Sequence, residues 1–271
     1  MTNDQGSSTD PPVTSSGRKV CVVTGSSSGI GAATVRRYAR EGWDVVVNFA
    51  RQIEPAQAVA DECRALGATA LVVRADVSSD ADCRRLAAEV ESQFGRVDVL
   101  VNSAGTTKFV AAKDFDGLQA EDFQRIYGVN VIGPWQMTRA LLPLLQRHPV
   151  TAVVNISSIA ATMGTGSSIA YMASKGALNA MTIGLARALG PQVRVNAIAP
   201  GMVDSPWLKN GLGAERYAAT AASYRARAAL DALILPDDVA DAAWWLGAGA
   251  AKTTGEVILL DAGLRLTRDS R

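Results

Sequence analysis

The stretch Val20-Cys21-Val22-Val23-Thr24-Gly25-Ser26-Ser27-Ser28-Gly29-Ile30-Gly31 decides the architecture. Its apolar, mostly β-branched start reads as a buried parallel strand. The run passes directly into glycines and serines, and a helical pattern follows over 32–40. A strand, a tight turn and a helix leave backbone N–H groups free at the helix start, with the positive end of the helix dipole behind them. Glycine lets that backbone approach a ligand closely. Such a turn can hold a pyrophosphate; the plain alternative is a glycine-rich turn that binds nothing.

Outward from the turn the pattern repeats. Residues 44–49, 68–75, 97–101, 150–156, 193–198 and 256–260 read as further strands. Residues 55–66, 79–94, 120–146, 171–189 and 236–246 read as helices, with bends expected at Gly128 and Pro134. Residues 202–235 read as irregular, then helical. Strands alternating with helices predict an α/β fold: a doubly wound sheet of seven mostly parallel strands covered on both faces. Ligands of such sheets bind beyond the carboxyl ends of the strands.

The chain has 271 residues, which predicts one domain over 18–271. Residues 1–17 are small and polar with a single Val, and a disordered tail without a secretory h-region is expected there. Apolar residues make up 48%, enough for a full core. A net charge of +1 offers no electrostatic case for nucleic acid or an anionic membrane. The apolar stretch 239–251 carries Asp241 and is too short to span a bilayer. A soluble, cytoplasmic protein is expected. Cys21, Cys63 and Cys83 lie in strand or helix patterns and read as thiols rather than a disulfide framework. The single histidine, His148, and the absence of zinc-ligand spacing argue against a metal centre and a Ser-His-Asp hydrolase.

Tyr171 and Lys175 stand four apart in a helical pattern and share a face. A nearby ammonium favours the phenolate and fits Tyr171 for general acid or base work; a solvated surface pair is the plain alternative. Ser158 follows the strand at 150–156, at the end where this architecture does its chemistry, or else it caps a turn.

Taken together, Thr24-Gly25-x-x-x-Gly29-Ile30-Gly31, Asn102-Ser103-Ala104-Gly105, Asn130, Ser158, Tyr171-x-x-x-Lys175 and Pro200-Gly201 resemble the short-chain dehydrogenase/reductase family over about residues 18–263. The resemblance implies a Rossmann-type fold and hydride transfer between a nicotinamide and a carbonyl carbon. It implies that Tyr171 moves the proton, Ser158 orients the substrate oxygen, and Lys175 lowers the Tyr171 pKa and binds the nicotinamide ribose. Asn130 would hold a water of a proton relay. Gly25, Gly29, Ile30 and Gly31 would line the pyrophosphate turn, with Asp76 and Val77 at the adenine and Asn102, Ala104 and Gly105 along the cofactor. Pro200, Gly201 and Val203 would receive the carboxamide, the last through its backbone, with Ser205 nearest the family's usual Thr. Ser103, Asp204 and Ala262 depart from the family pattern.

For the cofactor, NAD-preferring enzymes place a carboxylate at the end of the second strand. Here Asn48 is neutral there and Arg51 offers a forked cation suited to a 2′-phosphate. Asp44 lies at the far end of the strand. Ser28 stands where many NADP-using relatives carry a basic residue, and Ser26 and Ser27 are the alternative donors. NADP is expected, with NAD as the alternative.

The substrate is expected to be a small-molecule ketone or secondary alcohol. Trp207, Leu208, Leu212, Tyr217 and Tyr224 are candidates for an apolar pocket or for packing on the domain body, with Gly211 and Gly213 letting the segment move. Residues 106–109 and 163–167 are the other expected walls. The layout, including Thr162-Met163-Gly164, resembles 3-ketoacyl-carrier-protein reductases, although only Arg147 and His148 offer basic docking groups. A catalytically silent nucleotide-binding regulator is the remaining alternative. Small residues Ala173, Gly176, Ala177, Ala180, Gly184 and Ala188 permit close helix approach. With the family's habits, they lead to an expected homotetramer, a dimer being second.

Overall fold

The structure is a computed structural model that describes residues 17–266, so the tail expected over 1–17 lies almost wholly outside the described residues. In chain order, β1 (Val20–Val23), α1 (Gly29–Arg40), β2 (Asp44–Phe49), α2 (Ile53–Ala65), β3 (Ala70–Arg74), α3 (Asp80–Phe94) and β4 (Val99–Asn102) form the first half. Next come α4 (Ala120–Tyr127), a π-helical turn (Gly128–Ile132) and α5 (Gly133–Leu145), which run on without a break. They are followed by β5 (Thr151–Ile156), the short α6 (Ala160–Met163), α7 (Ile169–Leu189) and β6 (Val193–Pro200). The chain then makes α8 (Pro206–Leu212), α9 (Ala214–Arg227), α10 (Pro236–Trp244) and β7 (Val257–Leu260).

The strands lie in the order β3-β2-β1-β4-β5-β6-β7, and every pairing is parallel. The chain winds outward one way from β1 and the other way from β4. These two strands are neighbours, with Val23 opposite Val101. Their carboxyl ends therefore open the crevice where doubly wound sheets bind ligands.

Strands β1, β2, β4, β5 and β6 are buried along their whole length, as apolar runs in a parallel sheet must be. One core packs α1, α2 and α10 on one face of the sheet; the other packs α3, α5 and α7 on the opposite face. In the first, Tyr38, Trp43 and Trp244 meet edge to face at centroid distances of 5.0–5.5 Å. Cys21, Cys63 and Cys83 are buried free thiols. No helix among the described residues is long and apolar enough to cross a membrane. No group of His, Cys, Asp or Glu among them could hold a metal.

Three local expectations are corrected. Helix α1 begins at Gly29, three residues before the apolar pattern starts, because the glycine turn itself is its first turn. The helix expected over 120–146 carries a π turn instead of simple bends, and Pro134 lies just after it, where its missing N–H interrupts the helical hydrogen-bond ladder. The segment after β6 is two helices joined at Gly213, whose φ of +76° few other residues would adopt.

Gly201 carries the junction between β6 and this segment. The Tyr224 hydroxyl lies against its Cα and donates to the Asp261 carbonyl at 2.6 Å. A Cβ at 201 would occupy the hydroxyl's place. Gly201→Ala is expected to cost about 2 kcal/mol by overpacking. Tyr224→Phe, which removes the clashing oxygen, should recover part of that loss in the double variant. Urea midpoints of the four proteins measure the coupling, and strict additivity would contradict the contact.

Candidate active site

Three strand ends build the floor of the crevice. At the end of β1, Thr24 is buried, and its Oγ1 accepts from the N–H groups of Ser103 and Ala104 at 3.0 and 3.1 Å. One side chain thus ties the glycine turn to the turn after β4. Gly25, at φ +62°, lies so close to that turn that a Cβ would stand 2.8 Å from the Ala104 Cα. At the end of β4, Asn102 donates to the Asn155 amide oxygen at 2.9 Å, and Asn155 donates to Thr182 at 2.9 Å. The Asn102 Oδ1 itself is buried without a partner among the described residues.

The start of α1 is left open. Ser79 and Ser168 cap α3 and α7 with their side chains, whereas Ser28 makes no side-chain cap bond. Among the described residues, the N–H groups of Gly29, Ile30 and Gly31 have no protein acceptor. Ser27 is half-buried and Ser28 exposed beside them. Free N–H groups at a positive helix end suit an anion. With the glycine cradle and the orphaned Asn102 oxygen, the residues present fit a dinucleotide. Asp76 and Val77 follow β3: the Asp76 carboxylate accepts from Ser78, and the Val77 carbonyl accepts from Gln136 at 2.8 Å.

The second strand end holds the largest surprise. Asn48 is buried, and its amide is fully engaged. Its Oδ1 accepts from Gly25 N–H at 3.0 Å, and its Nδ2 faces the carbonyls of Phe49, Val73 and Ala75 at 3.0–3.4 Å. Ser26 is equally committed: its hydroxyl donates to Val23 and accepts from Asn48 N–H. Neither side chain has a donor left for a phosphate, because both are used to hold the glycine turn on β2. Arg51 is exposed, without a hydrogen bond or ion pair among the described residues. Arg74, unremarked in the sequence, donates to the Ala50 carbonyl at 3.3 Å and brings a second guanidinium to this end.

The candidate reacting groups stand at the end of β5. Ser158 follows the strand; its hydroxyl accepts from Ala160 N–H at 3.1 Å and lies near enough to the Tyr171 hydroxyl to favour the phenolate. Tyr171 lies in the first turn of α7, which Ser168 caps. Lys175 is one turn on and 4% exposed; its Nζ donates to the Ile156 carbonyl at 2.7 Å and sits 5.6 Å from the centre of the Tyr171 ring. Burial pushes the Tyr171 phenol up to about 12, against a smaller lowering by Ser158. Burial alone pulls Lys175 down to about 8. Desolvation, not the Lys175 charge, thus dominates the Tyr171 phenol in the protein itself. The phenol holds its proton at neutral pH.

Asn130 lies in the π turn and is fully buried. Its Oδ1 accepts from Thr106 N–H at 2.8 Å; its Nδ2 donates to the Thr106 carbonyl and to Ser174, both at 3.0 Å. Ser174 in turn donates to the Tyr171 carbonyl at 2.7 Å. The amide therefore clamps the 106 loop to the start of α7. Gly105 sits between them: a Cβ there would come within 3.7 Å of Asn130 Oδ1 and 3.9 Å of Lys175 Nζ.

At the loop after β6, Pro200 ends the strand. Val203 pairs with Ile234 through its neighbours, Met202 C=O and Asp204 N–H. Its own N–H and C=O have no partner among the described residues, so they can serve a ligand. Ser205 is buried at the start of α8 and makes no cap bond. Asp204 anchors the helices above: Tyr217 donates to it at 2.7 Å and Lys209 pairs with it at 2.6 Å. Of the apolar pocket candidates, Leu208, Tyr217 and Tyr224 pack on the domain body. Trp207 faces the site, its ring 6.3 Å from Tyr171 and 5.6 Å from Phe109. Leu212 lines a cavity beyond Phe109. Gly211 is needed because the Phe109 ring lies directly on its backbone.

This arrangement can be compared with known proteins. The sequence model of the family described as short chain dehydrogenase matches residues 19–216. The chain belongs to the short-chain dehydrogenase/reductase family. It is 45% identical over 247 residues to a protein named as ketoacyl reductase 2 of the granaticin polyketide synthase of Streptomyces violaceoruber, covering 91% of this chain and 96% of that one. It is 35% identical to 3beta-hydroxysteroid dehydrogenase 1 of Eggerthella lenta, covering 92% and 94%. A crystal structure described as a short-chain dehydrogenase/reductase from Burkholderia xenovorans superposes with a TM-score of 0.86 at 44% identity, over 93% and 99% of the two chains. The protein is therefore an NAD(P)-dependent oxidoreductase of CH–OH and C=O groups.

Proposed function

We propose that this oxidoreductase uses NADP(H) to interconvert a ketone and a secondary alcohol, with Tyr171 as its acid and base. The observation that carries the reading is the Ser158–Tyr171–Lys175 cluster at the open end of β5. The bound nicotinamide would supply or accept the hydride. Ser158 holds the substrate oxygen. Tyr171, protonated at neutral pH, gives its proton to that oxygen in the reductive direction. Lys175, a cation behind the ring, stabilises the phenolate that remains and is placed to meet the nicotinamide ribose. Asn130 fixes α7 against the 106 loop and would hold a water that links Lys175 to a proton relay.

The N–H groups of Gly29, Ile30 and Gly31, with Ser27 and Ser28, would meet the pyrophosphate. Gly25, Ala104, Gly105 and Asn102 form its floor, Asp76 and Val77 edge the adenine, and the backbone of Val203, with Pro200, Gly201 and Ser205 around it, takes the carboxamide. Asn48 serves by holding Gly25. The choice of NADP rests on the free Arg51 with Arg74 nearby, and on the absence of a carboxylate at the end of β2.

The printed name of the granaticin relative favours a second reading, reduction of a 3-ketoacyl group on a carrier protein. A silent regulator is disfavoured because Asn130, Ser158, Tyr171 and Lys175 are all present and assembled. Ile132, Trp135 and Ile183 are exposed on the π turn, α5 and α7. With the small residues of α7 they suit a homotetramer built on that face. Sedimentation should give a tetramer, and a monomer at micromolar concentration would contradict the assembly.

Turnover of a carbonyl panel with NADPH and NADH tests the function. Tyr171→Phe should lose about 10²–10⁴-fold in rate while still binding cofactor. Arg51→Ala should raise KM for NADPH by about tenfold and leave that for NADH nearly unchanged. Turnover by Tyr171→Phe close to wild type, or equal effects of Arg51→Ala on both cofactors, would overturn the corresponding assignment.

A further inference from the structure

A cavity of about 250 Å³ lies beyond the catalytic face, lined by Phe109, Val110, Ala111, Ala112, Gly166 and Leu212, with Ser167 and Arg216 as its polar members. It adjoins the reacting groups through shared walls. Phe109 contacts Trp207, which contacts Tyr171, and the Cβ position of Gly166 is 3.7 Å from the Tyr171 ring. The walls are tied together: Val110 N–H donates to the Ser167 carbonyl at 2.8 Å, and the hydroxyls of Thr107 and Ser167 are 2.7 Å apart. At this size the space takes one end of a substrate rather than the whole of it.

The charge around it is uneven. Lys108, beside Phe109, is held by Asp122 at 2.7 Å. Lys209, on α8, is held by Asp204 at 2.6 Å. Arg125 is shared between Thr106 and Asp122. Arg216, which lines the cavity itself, has no side-chain hydrogen bond or ion pair among the described residues. Its helix neighbour Glu215 points to another face, as adjacent residues on a helix do. The cavity, whose other polar side chain is Ser167, thus presents at its exposed edge one guanidinium without a protein partner among the described residues, and its fork matches a carboxylate or phosphate.

We propose that Arg216 selects substrates bearing an oxyanion at the end remote from the carbonyl, the intervening part lying against Phe109 and Trp207. This rests on the proposed ketone reduction at Tyr171. The same chemistry has two sources, a free keto acid or the phosphate of a pantetheine arm.

Titration calorimetry on the NADP⁺-loaded protein separates them, with two matched pairs of ligands. One pair is 4-oxo-4-phenylbutanoate and its methyl ester; the other is S-acetoacetyl-4′-phosphopantetheine and S-acetoacetyl-pantetheine. Wild type should bind the charged member of at least one pair about tenfold more tightly. Arg216→Ala should erase that preference without weakening the neutral member, and Arg216→Lys should keep part of it. Preference in the first pair assigns a keto acid, in the second a pantetheine arm, and in both a general oxyanion. No preference in either pair, or a preference that survives Arg216→Ala, overturns the proposal. Turnover of the neutral ester with NADPH is read separately. Its failure alongside Arg216-dependent binding would sink the ketone-reduction reading and leave the anion site standing.

Discussion

One buried ammonium constrains the rest of the site. Lys175 is almost wholly removed from water, and among the described residues its sole hydrogen bond from Nζ is to a backbone carbonyl. No carboxylate among the described residues pairs with it, and desolvation is the cause of its depressed pKa. Holding a charge this way costs several kcal/mol, which the surrounding fold must offset. The means are visible in the hydrogen bonds. Ser168 caps the helix, Asn130 and Ser174 pin its first turn, and Ser157 bonds the Lys175 carbonyl and Asn179. Gly105 leaves room above Nζ. A π turn places Asn130 where this clamp needs it, which accounts for a locally poorer helix at that point.

The proposed cofactor end follows a different logic, in which backbone would do the binding and side chains hold the backbone. Thr24, Ser26 and Asn48 all have binding-type chemistry, yet each is spent inside the protein. What remains open toward a ligand is a row of N–H groups, a glycine floor and the guanidinium of Arg51. A negatively charged dinucleotide finds there the donors that the fold itself leaves unused.

The sheet was legible because period and punctuation agreed: seven apolar runs, each ended by a turn, became seven parallel strands. Ser158, Tyr171 and Lys175 could be read from spacing because one strand end and one helix turn fix their geometry. The engagement of the Asn48 amide was not legible, since its position marks the ribose end of β2 while its burial depends on how β3 closes over it. The π turn was hidden for a similar reason: Gly128 and Pro134 announce irregularity without saying which hydrogen bond is displaced. Arg74 and Arg216 lay beyond sequence reasoning altogether. Nothing in their neighbours says that one stands beside Ala50 and the other lines a chamber behind Phe109. Gly211 was singled out for mobility, whereas the Phe109 ring requires it.

In the proposed reaction Lys175 is charged when cofactor arrives. The direct measurement is the pH profile of kcat/KM for NADPH at saturating ketone, which reports groups of the free enzyme. Tyr171, with its proton retained to about 12, should impose no limit in the reductive direction. Lys175, depressed to about 8, loses its charge as pH rises through that value. The profile should therefore be level through neutrality and fall about tenfold per pH unit well above 8, with circular dichroism unchanged. A profile that stays level to pH 10 would contradict the role assigned to the buried ammonium.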